Sequence, residues 1–394
     1  MIPAFNFFMP SRIVFGPGKL AELAELPLPG TKALIVIGAG GSMRRLGYLD
    51  RVVGMLAERG VESVVFDKIL PNPVSEHVAE GAALARETGC DFVIGLGGGS
   101  SIDSAKSIAV MAKNPGEYWD YINGGSGKAQ NPDGGALPIV AITTTAGTGT
   151  EADPWTVITK TETNEKIGAG WDCTFPVLSI VDPELMLTVP PQLTAYQGMD
   201  AFFHAVEGYL ANIANRASDK FALDTISLVA KWLPVAVADG SNLEARTAMA
   251  WANTSAGIVE SLSCCISHHS LEHAISAHHP EVPHGAGLTM TSVAYFDKLA
   301  QKAPERFPDM ARAMGEDVDS LPEAERPAAF ITALRKLIAA IGQAELSPTT
   351  YGIPVDEAET IARNSIDTMG GLYALNPAEL SQDEVADIFR ACYR

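Results

Sequence analysis

Seven of the eight histidines in this 394-residue chain lie between His204 and His284. So many imidazoles in so short a stretch need a cause, and metal binding is the leading one. In GMDAFFHAVEGY, Asp200 and His204 are four residues apart, a spacing that projects both side chains from one face of a helix. In HHSLEHAISAHHPEVPHG, His269 and His273 repeat it, and His284 follows at a proline-led turn. Two helical pairs and a turn histidine can converge between packed helices. A carboxylate with three imidazoles suits a divalent first-row ion such as Fe(II) or Zn, whereas magnesium and calcium want mostly oxygen ligands. The plainer alternative is a set of exposed or core-satisfied histidines, and it is the reading adopted for His268, His278 and His279.

Glycine carries the second signal. GLGGGSSIDSAKSIAV (95–110) sets three consecutive glycines directly after a buried strand and before a helix. Free N–H groups and the positive end of the helix dipole face such a turn, which makes it a seat for a pyrophosphate. Glycine permits the close backbone approach, and Ser100 can add a hydroxyl donor. The spacing is not that of the G-x-G-x-x-G fingerprint, and a lone strand–glycine–helix turn is also how α/β proteins turn corners. A partner strengthens the reading: TTTAGTGTE (143–151) follows the next strand and stacks threonine hydroxyls and glycines at the adjacent carboxyl end of the sheet, where ligands of open α/β sheets collect.

The elements that must position these residues fall into two groups. Up to about residue 188, strands alternate with helices: KALIVIG (32–38), GYLDRVVGMLAERG, ESVVFDKI, VSEHVAEGAALARETG, DFVIGLG and LPIVAITTT. That alternation predicts a parallel sheet covered by helices, hence a dinucleotide-binding α/β domain over 1–188. After Val189-Pro190-Pro191 nearly every segment is alanine-rich with helical periodicity, as in DKFALDTISLVAKWLPVAVA and EARTAMAWANTSAGIVESL, which predicts an all-α metal-binding and catalytic domain over 189–394.

Composition narrows the partners. A formal net charge of -19 repels polyphosphate backbones and anionic lipid at long range, so neither nucleic acid nor membrane is an expected partner. No run approaches the length of an uncharged membrane span, and the first residues lack the pattern of a signal peptide; a soluble cytoplasmic enzyme is the expectation. Five cysteines (Cys90, Cys173, Cys264, Cys265, Cys392) without C-x-x-C spacing argue against disulfides and zinc ribbons and for reduced, mostly buried thiols.

Taken in order, GGGSSIDSAK, TTAGTGTE, DPELMLTVPPQLTAYQGMDAFFHAVEGY and HxxEH followed by PHGAGL resemble the iron-containing (group III) alcohol dehydrogenase family, in motif style its NADP-using, butanol- and aldehyde-reducing members. The resemblance implies metal ligands at Asp200, His204, His269 and His284, with Fe(II) expected and Zn as the alternative. It makes His273 a nonligand histidine for proton relay and substrate positioning. It implies an α/β nucleotide domain and a helical metal domain with the active site in the cleft between them, and hydride transfer between NAD(P)(H) and a small primary alcohol or aldehyde.

The residues expected to hold the cofactor are Gly38, Gly40, Gly41, Ser42, Asn72, Gly98, Gly99, Ser100, Asp103, Thr144, Thr145, Thr148 and Lys166. NADP(H) is the expected preference, because Gly38 stands where NAD-using members carry a carboxylate for the ribose 2′-hydroxyl, and Arg44 and Arg45 follow closely. Family habit further implies a homodimer or larger homo-oligomer through the N-terminal strand IPAFNFFMPSRIVFG. Among rivals, the H-x-x-E-H string at 269–273 also matches inverted zinc peptidases with Glu272 as base, but that leaves the glycine turns unexplained. Dehydroquinate-synthase-like and glycerol-dehydrogenase-like relatives remain alternatives; the former needs cations for a phosphorylated substrate, and 196–290 supplies few (Arg216, Lys220, Lys231, Arg246).

Overall fold

The structure is a computed structural model that describes residues 4–393. The chain divides into two compact units, Met9–Leu187 and Thr188–Arg394, the latter together with the residues up to Phe8.

The first unit is built on strands β1 (Arg12–Phe15), β2 (Lys32–Gly38), β3 (Glu62–Ile69), β4 (Phe92–Gly97), β5 (Ile139–Thr143) and β8 (Leu178–Val181), with β6 (Trp155–Lys160) and β7 (Glu165–Gly170) forming a separate antiparallel hairpin. Helices α1 (Ser42–Arg45), α2 (Tyr48–Glu58), α3 (Ser75–Thr88) and α4 (Gly99–Lys113) connect β2 to β3, β3 to β4 and β4 to β5. All six main-sheet strands run parallel in the order β1-β8-β5-β4-β2-β3. Every residue of β4, β5 and β8 is buried, as expected for strands covered on both faces and therefore continuously apolar. Leu49, Val52 and Leu56 of α2 meet Ile35, Ile37, Ile94 and Ile142 in one core cluster. The chain runs from β2 outward to β3 and then back to β4 on the other side of β2. That reversal between β2 and β4 is the position at which open sheets collect ligands beyond their carboxyl ends.

The sheet holds more than the sequence reading assigned. LPIVAITTT does not complete it, since β8 inserts between β5 and β1. β8 is four residues long and β1 is equally short, below the length at which strand patterning is legible. Of the N-terminal segment read as a strand, Ile2 and Pro3 lie outside the described residues, 4–11 are irregular, and only Arg12–Phe15 pairs.

The second unit contains helices α5 (Pro191–Leu210), α6 (Arg216–Ala238), α7 (Leu243–Leu262), α8 (Ser267–His278), α9 (His284–Lys302), α10 (Phe307–Ala313), α11 (Arg326–Ala340), α12 (Ala358–Ala374) and α13 (Gln382–Arg390). No strand occurs among its described residues. Sequence sets the starts: Pro191 opens α5 at a position whose N–H has no helical partner, Asn215 caps Ala217 and Ser218 of α6, and Asn242 caps Ala245 of α7. Helix α6 is long and apolar enough to cross a membrane by length and composition; its buried residues, among them Ile226, Val229 and Leu233, belong to the side packed on α5 and α7.

Candidate metal centre and cofactor turns

Helix α5 carries Asp200, His204 and Glu207 along one stripe, α8 carries His268, His269, Glu272 and His273, and α9 begins with His284. Three imidazoles converge on one carboxylate oxygen: Nε2 of His204, His284 and His269 lie 3.3, 3.4 and 3.6 Å from Asp200 Oδ1. Among the described residues neither Asp200 Oδ1 nor His269 Nε2 has a hydrogen-bond partner, although both atoms are buried. Four donors bound about 2.0–2.1 Å from a common ion lie about 3.4 Å apart along the edges of a tetrahedron. These orphaned, converging atoms therefore fit a metal ion, and an O,N,N,N donor set suits iron or zinc.

Behind each imidazole stands a second carboxylate. His269 Nδ1 donates to Glu207 Oε1 at 2.7 Å, and His284 Nδ1 donates to Glu272 Oε2. His204 Nδ1 lies 3.5 Å from Glu260 Oε1 on α7, with Cys265 Sγ at 3.3 Å. A proton fixed on Nδ1 leaves the lone pair on Nε2, facing Asp200, which is the tautomer a metal requires. Glu207 is saturated. Its oxygens also accept from His268 Nδ1 at 2.9 Å and from the backbone N–H groups of Ile266 and His269 at 2.9 and 3.3 Å. Burial would raise its pKa, but His269 and His268 hold it at about 2. Burial likewise disfavours charge on His204 and His269, yet Asp200 and Glu260 carry His204 well above the usual imidazole range and Glu207 holds His269 at about 9. The pocket's field is thus negative and attracts a cation.

Two glycines allow this convergence. A Cβ on Gly285 would lie 2.0 Å from the Tyr196 carbonyl oxygen, and one on Gly287 would lie 2.7 Å from Glu272 Cγ, so the start of α9 rests directly on α5 and against Glu272. Glu272 supports His284 from behind, which is not the position of a peptidase base. His273 is buried, one turn from His269, with its ring centroid 5.3 Å from that of His284. His268 is a core histidine, its Nε2 at 3.1 Å from Leu288 O and 3.0 Å from Thr291 Oγ1, and His279 pairs with Glu357 at 2.7 Å.

In the sheet unit the two glycine turns interlock. Thr144 N–H donates to Gly97 O, and a Cβ on Gly98 or Gly99 would lie 2.9 Å from Thr145 Oγ1 or 2.4 Å from Thr148 Cγ2. Gly98 and Gly99 therefore open α4 with threonines packed against them. The other residues of the set are used in several ways. Ser100 donates to Pro71 O, so that its hydroxyl hydrogen is engaged within the fold. Asp103 accepts from Thr150 Oγ1 at 2.7 Å and Val157 N at 3.0 Å, which ties α4 to the hairpin. Lys166 Nζ donates to Asn72 Oδ1 at 3.2 Å, bringing those two together. Gly38 ends β2, where a Cβ would lie 3.7 Å from the Ile69 carbonyl oxygen, Gly41 has φ +71° and precedes Ser42 at the start of α1, and Gly40 O accepts from Arg45. Arg44 pairs with Asp67 at 2.7 Å, both half exposed.

Sequence reading passed over Lys106, Glu207 and Glu260. Lys106 is fully buried and donates to Thr150 Oγ1, Asp153 O and Trp155 O at 2.6, 2.9 and 2.7 Å, clamping the TTTAGTGTE segment to α4. Glu207 was detectable, since it continues the stripe of Asp200 and His204 three residues on. Glu260 comes from a separate helix and gave no local signal.

Known proteins match this chain along nearly its whole length. Residues 10–183 match the family "Iron-containing alcohol dehydrogenase" and residues 194–393 match "Fe-containing alcohol dehydrogenase family, C-terminal". The 1,3-propanediol dehydrogenase of Citrobacter freundii is 35% identical, with 99% of each chain covered, and the NAD-dependent methanol dehydrogenase of Bacillus methanolicus is 33% identical over 98% of this chain and 99% of its own. Among solved structures, an archaeal halo-thermophilic alcohol dehydrogenase from a Red Sea brine pool superposes with a TM-score of 0.94 at 33% identity over 100% of both chains. This chain is therefore a member of the iron-containing alcohol dehydrogenase family, whose chemistry is nicotinamide-dependent alcohol and aldehyde oxidoreduction.

Proposed function

We propose that Asp200, His204, His269 and His284 hold one iron-type ion, that the glycine turns after β2, β4 and β5 hold the dinucleotide, and that the substrate is a small primary alcohol or its aldehyde. The observation that carries this reading is the convergence of three imidazole nitrogens on the orphaned Asp200 Oδ1. When bound, the ion supplies Lewis acidity and the nicotinamide supplies the hydride acceptor or donor. The chain does the rest. Glu207 and Glu272 fix the tautomers of His269 and His284, Glu260 sets a negative charge 3.5 Å from His204 Nδ1, the backbone at Gly98 and Gly99 and the start of α4 receive the pyrophosphate, and His273 takes the hydroxyl proton. His284→Ala should lose turnover and bound metal together; a full metal equivalent with unchanged activity in that variant would overturn the ligand assignment.

NADP(H) is the proposed preference. No carboxylate ends β2 at Gly38, and the exposed Arg44–Asp67 pair is of a kind worth at most about 1 kcal/mol, so Arg44 is available to a 2′-phosphate. A homodimer is proposed on the exposure of Phe5, Phe7 and Phe8, 43–57% accessible, just ahead of edge strand β1 in the chain. Two of the four cations that a lyase-type site would draw on in 196–290 are engaged within the fold. Arg246 is buried with its donors on Gly240 O, Thr194 Oγ1 and Val189 O, and Lys231 lies over the Trp232 ring.

A further inference from the structure

His273 is held by a sulfur. Its Nδ1 lies 2.9 Å from Sδ of Met369, a residue at a break in α12: Met369 has φ -130° and ψ 39°, and Gly370 and Gly371 follow. Gly pairs are common sites of helix breaks. The break sits beside fixed points. Ser270 of α8 donates to Ser365 O at 2.6 Å, and the Ser365 and Tyr373 hydroxyls are 2.7 Å apart, on either side of Met369. Helix α12 is thus pinned to α8 at Ser365 and tied across Met369 by Tyr373, and the Met369 side chain reaches His273.

We propose that Met369 is a positioning residue for the reaction: its thioether accepts the Nδ1–H of His273, which fixes the ring's orientation and puts the lone pair on Nε2, the atom that takes the hydroxyl proton. A thioether is a weak acceptor, so it orients the ring without adding a negative charge, in contrast to the carboxylates behind His204, His269 and His284. This inference rests on the proton-relay role of His273.

Two substitutions separate positioning from packing, because they rank oppositely under the two roles. Met369→Leu keeps apolar volume and removes the acceptor; Met369→Gln keeps the length and supplies a carbonyl acceptor in a polar group. If Met369 only fills space, Leu is silent and Gln is harmful. If it positions His273, Met369→Leu lowers kcat about tenfold with KM for the alcohol, metal content and Tm unchanged and a larger solvent isotope effect, while Met369→Gln restores kcat to within about threefold of the parent. His273→Ala is measured alongside. Slow turnover in His273→Ala with an unaffected Met369→Leu, or the Leu-silent ranking, refutes the role of Met369; normal turnover in His273→Ala instead refutes the proton-relay reading on which it stands.

Discussion

Replacing Glu207 by Gln tests whether the carboxylates behind the imidazoles hold the centre together. In the parent, the fully buried carboxylate accepts four hydrogen bonds, two from imidazoles and two from backbone N–H groups. A glutamine can turn its oxygen toward the imidazoles, but its NH2 then faces the N–H groups of Ile266 and His269, leaving two buried donors without an acceptor. Each such donor costs about 1–3 kcal/mol, so the helical unit loses roughly 3 kcal/mol or more in stability. At about 2–4 °C per kcal/mol for a domain of this size, Tm should fall by about 10 °C. Losing the outer partner of a ligand histidine weakens metal affinity about 10–100-fold, equivalent to about 1.4–2.7 kcal/mol. Calorimetry of the protein and competition against a chromophoric chelator measure the two effects separately. Parent-like Tm and chelator competition in Glu207→Gln would show that Glu207 is a bystander.

Metal removal should reverse the pH dependence of stability. In the metal-free chain His269 is held at about 9, above the ordinary value of about 6.5, so its contribution is complete below about pH 6.5 and is lost as pH rises through about 9. The loaded protein should instead gain stability from pH 6 upward as protons cease to compete for the ligands; parallel melting profiles for the chelated and reloaded protein contradict this. Gly99→Ala should raise KM for the cofactor at least about tenfold without changing metal content, since its Cβ would lie 2.4 Å from Thr148 Cγ2, and an unaltered cofactor KM counts against the turn as a phosphate seat. Gly38→Asp should move the kcat/KM ratio toward NAD(H), because a carboxylate there repels a 2′-phosphate by on the order of a few kcal/mol in a partly desolvated site; a parent enzyme already favouring NAD(H) defeats the NADP proposal.

What the sequence made legible follows from how local each signal was. Asp200 with His204, and His269 with His273, stand one helical turn apart, so the pairs could be read from spacing alone. Gly98 and Gly99 could be read because a buried strand and a helix flank them. The reason for those glycines was only half legible: the phosphate approach was inferred, but the threonine methyl and hydroxyl groups packed against them come from a turn more than forty residues on, and only the fold shows it. Short strands such as β1 and β8 carry too few residues to establish alternation. The β6–β7 hairpin did offer a cue in its polar TETN turn, where Asn164 adopts φ +50°. The Glu260 and Met369 contacts could not be read, because each depends on a second helix that brings a residue to an imidazole distant in sequence.

The contact at Gly285 has a consequence for how this molecule would behave in a mutational scan. The residue has no functional group, yet the absence of its β-carbon lets α9 rest on the Tyr196 carbonyl, with a hypothetical Cβ only 2.0 Å from that oxygen. Backbone cannot swing aside as a side chain can, so alanine at 285 must displace one helix against the other, and with it the 3.4 Å separation of Asp200 Oδ1 and His284 Nε2. Every substitution there, however conservative, would score like the loss of a histidine. A sensitivity map of the chain would therefore count one more essential position than there are groups doing chemistry, and chemical rescue with added imidazole would tell them apart, reviving a cavity left by a missing histidine but not a spacing lost at a glycine.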